Sequence, residues 1–184
     1  MAKALFLDRD GTLIEHVPYL HDPALVQLVP GARQALALAR DRGWLLFLFS
    51  NQSGVGRGLF ALEEVHRVNR RMLELIGLGA DLFTRECIAP EAPGQPSLYR
   101  KPSPVFITEC LAAHDLAPGQ AWMIGDTLSD WQAGLNAGIR SAAVRSNLFT
   151  TEAAQQCAAM KLPVFSNLLP CVECLTGPET GSLP

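Results

Sequence analysis

Two carboxylates stand two residues apart in "ALFLDRDGTL", where an apolar run ends on Asp8, Arg9, Asp10, Gly11 and Thr12. Close acids repel each other, and a carboxylate near a core is costly unless its charge is offset. A third acid, Asp126 in "WMIGDTLSD", also follows directly on a short apolar run. The three form a set of hard oxygen ligands. Such a set suits Mg²⁺, which prefers carboxylates and water and binds beside substrate phosphate. A metal alone leaves Ser50, Asn51 and Lys101 unused. A small hydroxyl, an amide and an ammonium are the groups one arranges around phosphate oxygens. Lys101, in "YRKPSP", is one of only three lysines, with Lys3 and Lys161. These residue types point to the handling of a phosphate ester.

The elements that must position them alternate along the chain. "KALFL" (3–7) reads as a short buried strand, and residues 30–43 as a helix with Pro30 near its start and Gly43 past its end. "WLLFLF" (44–49) is a second buried strand, residues 61–76 have helical spacing, and 81–89 reads as a third strand. A proline- and glycine-rich loop (90–102) precedes a helix over 104–114 that Ser103 can cap. A strand at 121–124, a helix at 129–138, a strand at 140–144, a helix near 150–160 and an apolar segment at 162–165 complete the alternation. This pattern predicts an α/β fold, a three-layer Rossmann-like core with a mostly parallel sheet. In such sheets ligands bind beyond the carboxyl ends of the strands. Three of the buried runs deliver polar groups at that same end: Asp8, Ser50-Asn51 and Gly125-Asp126.

At 184 residues the chain fits one domain, expected over 1–176 with a mobile tail over 177–184. Hydrophobic residues make up 48% and charged ones 18%, enough for a real core. A formal net charge of -3 offers no basic surface for nucleic acid. The longest uniformly apolar run is far short of a membrane span, and the N-terminal run breaks at Asp8, too early for a signal peptide. Five unevenly spread cysteines then read as reduced thiols of a cytoplasmic protein, expected to be a monomer.

At this point the motifs carry a family resemblance. "DRDGT" (8–12), "FSNQSG" (49–54), "RKP" (100–102) and "GDTLSD" (125–130) resemble, in order and in placement after strands, the four motifs of the haloacid dehalogenase superfamily of aspartate-nucleophile phosphatases. More narrowly, "SNQSGVGRG" with "DRDGT" and "RKP" is similar to the subgroup of D-glycero-D-manno-heptose bisphosphate and histidinol-phosphate phosphatases. The resemblance implies that Asp8 is the nucleophile, forming an aspartyl phosphate, and that Asp10 is the general acid and then base. It implies Mg²⁺ held by Asp8, the Asp10 backbone carbonyl and Asp126. Ser50 and Lys101 would hold the transferring phosphoryl group, while Asn51 and Arg100 would face a small phosphorylated substrate. Thr12 and Asp130 would stand behind this set, Asp130 either orienting Lys101 or lying one layer further out.

Many members of that subgroup carry a zinc loop, with a Cys-x-His pair and a Cys-x-Cys pair ahead of "RKP". Here Cys87 stands alone, Ala89 falls where the histidine would be, and no other cysteine precedes Arg100. One thiol does not hold a structural zinc, so none is expected. Between Asp10 and Ser50 lie 50 − 10 = 40 positions, and between Ser50 and Lys101 lie 101 − 50 = 51. Each already holds ordinary elements, so no cap domain is expected, and loops at 14–22, 54–58 and 96–100 would select substrate.

Blander readings compete. Asp8 and Asp10 alone could be a polar turn, but three matching sites downstream weigh against it. "GVGRG" (54–58) reads as a flexible turn before the 61–76 helix, with Arg57 a candidate substrate contact. His16 and His21 lie in a loop, and either contacts substrate or is solvated; His66 and His114 read as surface residues. Cys171 and Cys174 read as a chance C-x-x-C on a C-terminal helix, and the tryptophans as packing. A heptose bisphosphate is the first substrate expectation, ahead of histidinol phosphate and a 3′-phosphorylated polynucleotide. A signalling receiver domain would place its acid pair adjacently, unlike D-x-D here, and a catalytically dead scaffold would have lost a motif residue.

Overall fold

The computed structural model describes residues 2–177; the expected tail, apart from Gly177, lies outside the described residues. Six strands are present among them: β1 (Lys3–Leu7), β2 (Trp44–Asn51), β3 (Arg85–Ala89), β4 (Ala121–Gly125), β5 (Arg140–Val144) and β6 (Val164–Phe165). All pair in parallel, in the order β3-β2-β1-β4-β5-β6. The chain first builds outward from β1 to β3, then returns to β1's other edge and builds outward to β6. The switch point therefore lies between β1 and β4, where an α/β sheet opens its ligand crevice.

Alternation along the strands sends residues to two buried faces. Leu5, Leu7, Leu46, Leu48, Trp122 and Ile124 pack on one side with α1 (Ala32–Asp41), α3 (Leu62–Ile76) and α7 (Leu168–Thr176). Phe6, Phe47, Phe49 and Met123 pack on the other with Phe106 and Ile107 of α4 (Val105–Ala113). There Phe6 stacks on Phe47 at 4.7 Å and meets Phe106 edge-on at 6.1 Å. Each fully buried large apolar side chain contributes about 1.5–3 kcal/mol, so β1 is locked from both faces and both edges. α5 (Leu128–Asn136) follows β4, and Trp131 Nε1 donates to the Gly125 carbonyl at 2.9 Å, which ties that helix to the end of the strand. α6 (Thr151–Ala159) lies between β5 and β6.

Two elements differ from their sequence reading. The third strand begins at Arg85 rather than at residue 81, because Leu82 and Phe83 bury their side chains in the core before the ladder starts. The glycines of "GVGRG" do not form a plain turn: Ser53–Gly56 makes a single helical turn, α2, directly after β2. Gly54 is needed there, because a Cβ would run into the Phe60 ring. No helix among the described residues is long and apolar enough to cross a membrane.

Candidate active site

Register sets the depth of each functional group. Leu7 pairs with Leu48 and Ile124, so Asp8 is the first residue past the end of β1, and its N–H still donates to the Ile124 carbonyl at 3.0 Å. β2 runs three residues beyond that level, to Asn51, and β4 ends one residue beyond it, at Gly125. A cavity of about 420 Å³ opens above these ends, with Asp8, Asp10, Lys101 and Asp126 among its walls and the loop at 16–20 along its rim.

Lys101 is 4% exposed and reaches three acceptors. Its Nζ donates to Asp8 Oδ1 at 2.6 Å and to the Phe49 carbonyl at 2.7 Å, and pairs with Asp130 Oδ1 at 2.6 Å. Burial alone would push the ammonium down, but Asp130 and Asp8 outweigh it and raise its pKa above the ordinary lysine value. Asp130, in the first turn of α5, accepts at Oδ2 from the Thr127 N–H (3.0 Å) and hydroxyl (2.6 Å). That reciprocal cap leaves Oδ1 to Lys101, so Asp130 orients the ammonium.

Asp8 is raised well above the usual carboxylate range, first by burial and then by Asp130, Asp126 and Asp10, with Lys101 acting against them. Asp126 is pushed up to about 7, by burial and then by Asp130. Neither Asp126 oxygen has a donor in good hydrogen-bond geometry although the residue is 4% exposed; the Ser146 hydroxyl is near enough only to lower its pKa against the larger effect of burial. Buried carboxylate oxygens left without donors are costly. Asp8, Asp126 and Asp130 each bring one oxygen within 4.8 Å of the others, and Asp130 is already committed to Lys101 and Thr127. Gly11, at φ +79°, keeps this space open, since a Cβ there would collide with Asp126 Oδ2. Asp8 and the unpartnered Asp126 thus fit a hard divalent cation.

Asp10 is held from its other side. Arg9 donates from Nε to Asp10 Oδ2 and from Nη2 to Asp10 Oδ1, both at 3.0 Å. Gln52 Nε2 donates to Asp10 Oδ2 at 2.8 Å and to Ser50 Oγ at 2.7 Å. A carboxylate beside a carboxylate–ammonium pair, with an orphaned third acid next to both, is equipped for proton transfer next to a phosphoryl group bound to a cation.

A family profile described as HAD-hydrolase-like matches residues 98–170. A D-glycero-D-manno-heptose-1,7-bisphosphate 7-phosphatase of Thermosynechococcus vestitus is 35% identical over 73% of this chain and 74% of its own length. A D-glycero-beta-D-manno-heptose-1,7-bisphosphate 7-phosphatase of Haemophilus ducreyi is 33% identical over 92% of this chain and 98% of its own. The chain belongs to the haloacid dehalogenase-like phosphatases. A crystal structure of the D,D-heptose 1,7-bisphosphate phosphatase of B. bronchiseptica, complexed with magnesium and phosphate, superposes on this phosphatase with a TM-score of 0.81, at 26% identity over 94% of this chain and 97% of that one.

The other expected residues of the phosphatase take distinct places. Ser50 is buried, its hydroxyl tied to Gln52 rather than on the cavity wall. Asn51 lines the cavity, but both ends of its amide are engaged with the Lys101 backbone: Lys101 N–H donates to Oδ1 at 2.9 Å, and Nδ2 donates to the carbonyl at 3.1 Å. Arg100 lines the wall and donates to the Glu91 carbonyl at 2.8 Å; burial lowers its pKa, and Arg57 adds to that. Arg57 itself is exposed and outside the cavity walls. Thr12 is buried behind the loop with its hydroxyl unpartnered. His16 lines the cavity, while His21 stacks on Phe60 at 5.4 Å. Cys87 is a buried thiol raised to about 12, mainly by burial. Arg9, Gln52 and Asn69, which contact or support Asp10, were not expected; the only sequence signal was an arginine between two aspartates.

Proposed function

We propose that this phosphatase is a Mg²⁺-dependent phosphomonoesterase working through an aspartyl phosphate on Asp8, and that its substrate is D-glycero-D-manno-heptose 1,7-bisphosphate. The observation carrying the reading is the Asp8 carboxylate held by Lys101 at 2.6 Å beside Asp126, a buried carboxylate with no donor in good hydrogen-bond geometry. Asp8, Asp126 and the Asp10 backbone carbonyl would hold the cation. When bound, Mg²⁺ supplies the positive charge that keeps the clustered carboxylates ionised and polarises the phosphoryl oxygens.

An Asp8 oxygen attacks phosphorus while the bond to the sugar oxygen breaks. Asp10 gives that leaving oxygen its proton, then takes one from the water that attacks the aspartyl phosphate, freeing phosphate and restoring Asp8. Lys101, whose pKa is raised by Asp130 and Asp8, stays charged and faces the transferring group. Asn51 keeps the end of β2 and the Lys101 backbone in register with it, while Ser50 holds Gln52, which reaches Asp10. Arg100, at the wall, and Arg57 nearby are left for the remote part of the substrate. Thr12 backs the catalytic loop from behind.

The substrate choice is supported by the curated relatives, named heptose bisphosphate phosphatases at 33% and 35% identity. The reading includes one catalytic domain over 1–176 without a cap or structural zinc, acting as a cytoplasmic monomer without nucleic-acid or membrane partners. Phosphate release is to be measured over heptose and hexose phosphates, histidinol phosphate, nucleotides and a 3′-phosphorylated oligonucleotide. Release preferring the heptose bisphosphate, and lost both on chelation and in Asp8→Asn, is the expected result. A preference for another ester moves the substrate. Turnover above a few per cent in Asp8→Asn removes the nucleophile.

A further inference from the structure

Behind Asp10 a line of polar side chains runs from the cavity to the edge of the sheet. Arg9 carries a permanent charge yet is 1% exposed. Two of its nitrogens hold Asp10, and the third, Nη1, donates to Asn69 Oδ1 at 3.0 Å. Asn69 lies on α3 and is 4% exposed, on the same buried face as Val65, Val68 and Met72. Its Nδ2 donates to Glu86 Oε2 on β3 at 3.3 Å. Arginine offers only donors and an ionised glutamate only acceptors, so the amide has a single orientation that satisfies both.

An amide on the apolar face of a helix costs free energy unless it is bonded, and a valine or leucine would fill that place at less cost. Its presence follows from what it holds. Asp10 and Arg9 are adjacent in sequence, so their mutual contacts do not fix the pair; Gln52 holds only Asp10 Oδ2, and the donor to Oδ1 is Arg9, whose own guanidinium still needs an anchor. The Asn69 contact, from a residue 60 positions away, supplies that anchor for the guanidinium. We propose that Asn69 is a positioning residue for proton transfer: by fixing Arg9 it sets where the Asp10 carboxyl meets the leaving oxygen, with Glu86 orienting its amide. This rests on Asp10 being the acid–base group of the reaction above. There the phosphorus–oxygen bond breaks, its electron pair stays on the sugar oxygen, and the Asp10 proton goes to that oxygen.

Two esters separate positioning from mere support. A sugar alkoxide needs its proton to leave, whereas the nitrophenolate of p-nitrophenyl phosphate does not, and kcat/KM reports the step in which either departs. Asn69→Ala is expected to lose about tenfold in kcat/KM on the sugar phosphate turned over fastest and no more than about twofold on p-nitrophenyl phosphate, a fraction of the full acid–base contribution. The ratio on one preparation cancels any loss of folded protein. Should Asn69→Ala not fold, Asn69→Ser, whose hydroxyl is too short to reach Arg9, is expected to shift the ratio likewise. Asn69→Asp combined with Glu86→Gln keeps an acceptor for Arg9, reverses the outer hydrogen bond, and is expected to restore the ratio. Equal losses on both esters, or none, overturn the proposal. Asp10→Asn is the benchmark: if it fails to discriminate between the esters, the reading of Asp10 fails. If it discriminates and the Asn69 variants do not, only the positioning role falls.

Discussion

Asp126 should make the metal-free protein less stable as pH rises, and Asp126→Asn should remove that penalty. Its folded pKa is raised from 3.8 to about 7, so the stability involved is fully present below about 4 and is lost as pH climbs through 7. Each pKa unit corresponds to about 1.4 kcal/mol. Between pH 5 and pH 8 the titration therefore takes about 2–3 kcal/mol from the wild type and nothing from an amide. The amide leaves its own buried groups unpaired, at about 1–3 kcal/mol, but this cost is the same at both pH values and cancels in the comparison. Urea unfolding of both proteins in chelator at pH 5 and pH 8 gives the double difference directly. Asp126→Asn should gain about 2–3 kcal/mol on the wild type over that interval. Adding Mg²⁺ at pH 8 should raise the wild type by about 2.7 kcal/mol at one hundred times its dissociation constant and leave the variant unmoved. A variant that loses ground to the wild type from pH 5 to pH 8 would refute the account of Asp126 as a charge stored for a cation.

Two further outcomes follow from the same site. Gly11→Ala places a Cβ against Asp126 Oδ2 on a backbone at φ +79°; the left-handed residue should cost about 1–2 kcal/mol in urea unfolding. The displaced carboxylate should cost at least about tenfold in kcat/KM, and activity equal to wild type would show that the glycine is not what keeps the space. Metal analysis of purified, untagged protein should find far less than one zinc per chain, and about one equivalent would remove the expectation drawn from the lone Cys87.

What the sequence made legible was whatever depends on neighbours along the chain. Apolar runs that stop on Asp8, on Ser50-Asn51 and on Asp126 place these residues at one end of a parallel sheet, because a buried strand cannot continue through a carboxylate. The Asp130 role stayed open because it depends on the cap: only once Thr127 occupies one carboxylate oxygen is the other directed at Lys101. The role of Arg9 is not legible in the sequence because its burial is decided by α3, far along the chain. Gln52 and Asn69 carry no signal in isolation, since an amide becomes informative only when its partner is known. The start of the third strand was misplaced for a related reason. Leu82 and Phe83 have the apolar character of a strand but serve as core plugs before it, a distinction set by tertiary packing.

The clasp between Asn51 and the Lys101 main chain has a consequence for how this surface can change over time. A side-chain amide that gives and takes one hydrogen bond each with a backbone unit does the work of an extra rung of sheet, joining the end of β2 to the root of the 90–102 loop. Everything upstream in that loop then hangs from a fixed point. Insertions, deletions or an exchange of prolines across residues 92–98, which lie outside the cavity walls, can then be absorbed without moving the ammonium that serves Asp8. The catalytic ammonium and the outer loop are thereby made separately inheritable: one amide shields the first while the second is free to drift.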